Sequence, residues 1–179
     1  MIAPGAVVNF WRDAGEQRWF ERSVGFDLEC EEHFRDAHFG AARRELEHWM
    51  EGAEGSLALL LLLNQMPRNI FRDSAHSYAT DPLARHYATR GIDAGFDRQV
   101  DPALRIFFYM PFEHSEDMAD QQRSLALHRA LPGPRADRWA VLHHDVIRRF
   151  GRFPHRNAAL GRSNTPGEQA FLDGGGFSG

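Results

Sequence analysis

The stretch Ser56-Leu57-Ala58-Leu59-Leu60-Leu61-Leu62-Leu63-Asn64-Gln65-Met66-Pro67-Arg68-Asn69-Ile70-Phe71-Arg72 decides the fold class. From Leu57 to Leu63 every side chain is apolar, so no face of the segment tolerates water. It reads as a helix buried in the middle of the protein. The run is far shorter than the roughly 20 residues a bilayer-spanning helix needs. Ser56 is the expected N-cap and Pro67 the expected end.

Working outward from this helix, helical signals recur and strand signals do not. Short amphipathic segments around Ala6 to Trp11 and around Trp19 and Phe20 precede a long helix from Phe26 to Met50, whose apolar positions return every three or four residues. Asp81-Pro82 and Asp101-Pro102 each pair an N-cap with a first-turn proline, predicting helices from Pro82 to Ala94 and from Pro102 to Tyr109. Gly95 is placed to stop the first of these in a left-handed conformation, and Pro111 breaks the second. A further helix starts near Ser115 and runs to Leu131, where Pro132-Gly133-Pro134 forms a hinge. Another covers Trp139 to Phe150 and is ended by Gly151. Thr165-Pro166-Gly167-Glu168 combines a capping box with a first-turn proline and announces a last helix through Leu172. No two alternating runs flank a hairpin turn, so the chain is expected to be all-α: one domain over residues 1–173 and a flexible glycine-rich tail over 174–179.

Composition narrows the chemistry. A hydrophobic share of 42% over 179 residues fills a core without metal or disulfide staples. All 21 residues of the Lys+Arg total are arginine. Without lysine there is no Schiff-base enzyme, no P-loop and no Ser-x-x-Lys hydrolase. Cys30 is the single cysteine, which excludes an internal disulfide, a cysteine-rich zinc site and an iron–sulfur cluster within one chain. It lies on the apolar stripe Phe26, Cys30, Phe34, Ala37, Ala41 and reads as a core residue. The net charge of -4 argues against a duplex nucleic-acid partner. No secretory signal or membrane span is found, and the expected location is the cytoplasm.

Three polar clusters stand out. Arg68 and Asn69, with Arg72 behind them, stand where the most buried helix ends. There they either cap its carbonyls or deliver a guanidinium into a pocket. The segment Glu113-His114-Ser115-Glu116-Asp117 is either a charged first turn or an imidazole and carboxylate set for acid–base work. No ligand spacing in it names a metal, and no cofactor is defined. The third runs from Arg148 to Arg162 with five arginines and no acid, preceded by His143 and His144. Phe150, Phe153 and Pro154 fix its backbone, so Arg149, Arg152, Arg156, Asn157 and His155 read as an anion site, or as partners of Glu113, Glu116 and Asp117 in an internal ion network. No Gly-x-Ser-x-Gly, His-Glu-x-x-His or Gly-x-Gly-x-x-Gly motif occurs, which leaves enzyme and binder both open.

At these clusters the chain resembles, nearly end to end, an uncharacterised bacterial family known as domain of unknown function 924. The matching stretches are Leu60 to Arg72, Pro111 to Asp117, Arg149 to Asn157, and Leu160-Gly161-Arg162. The resemblance implies a tetratricopeptide-like, right-handed stack of antiparallel helix hairpins. It supplies no activity. Where the family carries Asp-Gln-Phe-Pro-Arg-Asn this chain has Asn64 and Met66, so a catalytic acid at that Asp would be lost here. The expectation drawn is a small anionic ligand held by Arg68, Asn69, Arg149, Arg152, Arg156 and Asn157. Proton transfer falls to His114, Glu116, Asp117, His143 and His155, and the rival is a peptide-binding adaptor in which the polar clusters are structural.

Overall fold

The computed structural model of the chain describes residues 2–133 and 136–177; Pro134 of the expected hinge and the last two residues of the tail lie outside them. Every regular element among the described residues is helical, as the sequence predicts. In order these are α1 (Pro4–Phe20), α2 (Val24–Ala42), α3 (Ala53–Leu60), α4 (Met66–Ile70), α5 (His76–Ala79), α6 (Asp81–Asp93), α7 (Met110–Glu113), α8 (Met118–Arg129), α9 (Arg138–Phe150) and α10 (Pro166–Asp173), with short 3-10 turns between them. No helix among them is long and apolar enough to cross a membrane. Two compact units result: the first combines Met1–Arg72 with His76–Pro111, the second Asp73–Ala75 with Phe112–Gly179.

In the first unit the leucine run is buried on every side, as expected, but Pro67 does not end it. The chain widens through a π-helical turn, Leu61–Gln65, in which the Met66 N–H donates to the Leu61 carbonyl, and continues directly into α4. Proline lacks an N–H and crowds the preceding turn; the widened turn places Pro67 at the start of a new helix, where both are harmless. Ser56 is not the N-cap. Gly52 takes that position, and the Ser56 hydroxyl, inside α3, donates to the Gly52 carbonyl at 2.8 Å.

The long second helix is also shorter than its periodicity predicts. Ser23 caps it, accepting from the Phe26 N–H, and it stops at Ala42, where Arg44 adopts φ 64° and the chain turns into a 3-10 segment, Glu47–Glu51. Cys30 is fully buried in α2, as its stripe position requires. The Asp101-Pro102 signal gives a turn instead of an α-helix: the Asp101 carboxylate accepts the Ala103 N–H at 2.9 Å and only the 3-10 segment Arg105–Phe108 follows. Aromatic packing closes this unit, with Trp11 against Phe26 and Phe107.

In the second unit α8 and α9 pack on one another. The start of α8 falls at Asp117, not Ser115: Asp117 accepts the Ala119 and Asp120 N–H groups, while the Ser115 hydroxyl donates to Asp120 at 2.6 Å. Gly151 ends α9 at φ 70°, a left-handed conformation that a side chain disfavours, and Thr165 and Glu168 form the expected capping box. Val146, Ile147 and Phe153 make the core, joined by Met118, Phe150, Phe171 and Phe177.

Candidate functional site

The second unit buries a carboxylate among imidazoles. Glu113, from the end of α7, is 3% exposed; its Oε2 lies 3.3 Å from His128 Nε2 on α8 and its Oε1 3.4 Å from His143 Nδ1 on α9. His114 follows Glu113 directly, and its ring lies 6.0 Å from that of His143. Ligand atoms of Glu113, His114 and His143 all fall within 4.8 Å of one another.

The surroundings fix these groups. Gln121 donates from Nε2 to the Glu113 and Ser115 carbonyls, each at 2.7 Å, which pins the backbone on both sides of His114. His143 Nδ1 donates to the Trp139 carbonyl at 2.8 Å. His128 Nδ1 lies 2.9 Å from the Ser124 carbonyl, and burial pushes its pKa down, keeping the ring neutral at physiological pH. Phe177 packs on this cluster, its ring 4.5 Å from His143 and 5.2 Å from His155.

The arginines divide by partner. Arg152 takes Glu168 through a two-point contact and also donates to the Ser163 carbonyl. Arg162 holds Glu116 in the same way, at 2.7 and 2.9 Å, and Glu116 further accepts the Phe153 N–H at 2.8 Å. Burial raises the Glu116 pKa, but the Arg162 and Phe153 donors outweigh it and the net shift is downward. Arg149 is exposed and lies over the Phe150 and Phe171 rings. Arg156 is buried, stacked 4.4 Å from the Phe153 ring centroid, and its Nη1 donates to the His114 carbonyl at 3.0 Å. Asn157 donates to Asn164 and accepts from Arg162, tying the loop after Phe153 together.

The sequence-predicted residues therefore separate. His114 and His143 lie beside Glu113, Arg156 bonds the His114 carbonyl, and His155 shares the Phe177 ring with His143. Glu116, Asn157 and Arg152 serve ion pairs and loop bonds, Asp117 caps α8, and Arg149 lies at the surface. Arg68 and Asn69 belong to the first unit. There Arg68 makes two bonds to Asp81, each 2.9 Å, and Asn69 joins Arg72 on Asp27. Asn64, at the position noted as departing from the family pattern, donates to Asp81 at 2.8 Å. A recess of about 150 Å³ in that unit is lined by Val8, Arg12, Glu54, Leu57, Asp101 and Leu104 among others and contains none of these groups.

Residues 7–176 match the family described as bacterial protein of unknown function, DUF924. The chain belongs to this family. Among solved structures, a protein of unknown function from Agrobacterium tumefaciens, ATU0120, is 52% identical with a TM-score of 0.92, the match covering 96% of this chain and 97% of that one. No curated protein matches.

Two residues of the site were not among the candidates taken from the sequence: Glu113, read only as part of an acid–base segment or as an acid to be neutralised, and His128, which carried no signal there. His128 stands four residues from Ser124 on the inward face of α8, the face that also holds Gln121.

Proposed function

We propose that the protein binds a small anionic metabolite in its second unit, where His114 and His143 lie beside Glu113, Arg156 bonds the His114 carbonyl and His155 shares the Phe177 ring with His143. The observation that supports this reading is the bond from Arg156 Nη1 to the His114 carbonyl. It joins the arginine-rich segment to the imidazole cluster, so a guanidinium and several proton-carrying rings share one place. Arg152 drops out of the ligand set because Glu168 already occupies its fork. Proton transfer, where it occurs, falls to His114 and His143, with Glu113 beside the latter.

The test is a thermal-shift screen against phosphorylated and carboxylated metabolites. A ligand at about a hundred times its dissociation constant adds roughly 2.7 kcal/mol of stability. The shift is expected to vanish in Arg156→Ala and His114→Ala and to survive in Arg152→Ala. A hit that depends on Arg152 and not on Arg156 would sink the assignment.

A second reading, the peptide-binding adaptor on a tetratricopeptide-like stack, has its own support. Val24 and Leu28, one turn apart on α2, are 72% and 60% exposed, and Phe20, at the end of α1, is 53% exposed. On this reading the Arg152–Glu168 and Arg162–Glu116 pairs are purely structural. Substituting Leu28 by Glu would then abolish partner capture and leave the metabolite screen flat.

A further inference from the structure

We infer that Glu113, His114 and His143 form a site for one divalent transition-metal ion of the zinc class. The inference stands on the geometry of these three side chains and not on anion binding, although a metal there would give an anion its binding position.

The donor set comes first. Two imidazoles and one carboxylate, without a thiolate, match zinc, cobalt or nickel, whereas calcium and magnesium prefer all-oxygen shells. Ligands at about 2.0–2.2 Å from a tetrahedral ion stand roughly 3.4 Å apart. The three donor atoms already lie within 4.8 Å of one another, so closing on an ion asks for side-chain adjustments of about an ångström. All three residues are buried, at 3%, 8% and 7% exposure, so an ion would trade its water shell for protein donors.

Preparation of the donors comes next. A histidine that ligates through one nitrogen nearly always donates from the other, which fixes ring and tautomer. His143 makes such a bond, from Nδ1 to the Trp139 carbonyl. His128 Nε2 stands 3.3 Å from the far oxygen of Glu113. Gln121 clamps the carbonyls of Glu113 and Ser115, so the two adjacent ligands are set before any ion arrives. Three protein ligands leave a fourth position open, the arrangement of reactive rather than purely structural zinc sites. Arg156 bonds the backbone carbonyl of His114, which brings a guanidinium to the main chain of one of the three ligand residues.

The experiment is titration of the chelator-treated protein with Zn2+ alone by calorimetry, and with Co2+ alone by its visible d–d absorption. One ion per chain is expected, with a tetrahedral-type cobalt spectrum displaced by zinc. His143→Ala and His114→Ala should each weaken binding by more than about a hundredfold. Glu113→Gln keeps the side chain's shape; where an alanine variant fails to fold, as judged by circular dichroism, this variant and the wild-type cobalt spectrum decide. Absence of stoichiometric binding by wild type, or binding unaltered in Glu113→Gln and both His→Ala variants, would overturn the inference. Phosphate added to the metal-free protein separates the two readings. A phosphate shift without metal binding removes the metal and keeps the anion site, and metal binding without any phosphate response does the reverse.

Discussion

Arg152 grips Glu168 at two points, Nε to Oε1 at 2.6 Å and Nη2 to Oε2 at 2.8 Å, and that same Oε2 accepts the Thr165 backbone N–H at the start of α10. One carboxylate thus ties the segment after α9 to the cap of α10. Glu168 is 2% exposed, so removing its partner strands a buried charge. Arg152→Ala is expected to lower the urea midpoint clearly, while Arg149→Ala, which removes only a surface guanidinium over two rings, stays within about 0.5 kcal/mol of wild type. Equal effects of the two substitutions would contradict this division of the arginines.

Acid should destabilise the fold through the same carboxylates. Arg152, with the Thr165 N–H, holds the Glu168 pKa at about 2 against an ordinary 4.5. Glu116 is lowered too, as is Asp27, where the Arg72 and Asn69 bonds outweigh burial. A carboxyl depressed in the folded state binds fewer protons there than in the unfolded chain. Its stabilisation is complete above the ordinary value and is lost as pH falls from about 4.5 towards 2. Thermal midpoints measured across this window should drop, and Glu168→Gln should flatten the slope.

Cys30 is expected to be inert. Burial first, then the charges of Asp27 and Glu29, push its thiol up to about 12, and the residue is fully enclosed. A chromogenic disulfide reagent at mildly alkaline pH should label native protein very slowly and urea-unfolded protein at once. Rapid native labelling would mean that α2 opens.

Asn64 has a structural reason that needs no lost activity. Its amide donates to Asp81, which also receives Arg68. Asn64→Asp would set two buried carboxylates face to face and is expected to cost about 1–3 kcal/mol at neutral pH. The double variant Asn64→Asp with Asp81→Asn restores a donor and should recover most of that loss in chemical denaturation.

Gly55 should resist substitution. A Cβ there would stand 2.2 Å from the Trp49 carbonyl oxygen, backbone that cannot step aside. Gly55→Ala is expected to destabilise by about 1–3 kcal/mol or more, read from the thermal midpoint.

The helices were legible because apolar spacing and caps are local signals: Gly151 and the Thr165–Glu168 box act where the sequence places them. Starts were misplaced where a capping side chain had a remote partner. Thr80 sends its hydroxyl to the Leu63 carbonyl and Asp81 receives Arg68 and Asn64, so α6 begins without a side-chain cap. The π-helical turn was hidden because an unbroken leucine run looks the same at either pitch. At the site, His114 and His143 were visible as residue types, but their placement beside Glu113 was not: His143 lies thirty positions further along the chain, and Glu168, the partner of Arg152, looked from the sequence like a capping residue alone.

The widened turn at Leu61–Gln65 also holds one residue of slack, because the Met66 N–H reaches back five residues to Leu61 where an ordinary helix reaches four. Deleting one leucine there would return the turn to ordinary pitch and leave the helix downstream close to its present register. A second deletion would have no widened turn to draw on and would rotate Arg68 and Asn69 by about 100°, away from Asp81 and Asp27. A change of length that most proteins confine to loops can be absorbed once here, inside a buried helix.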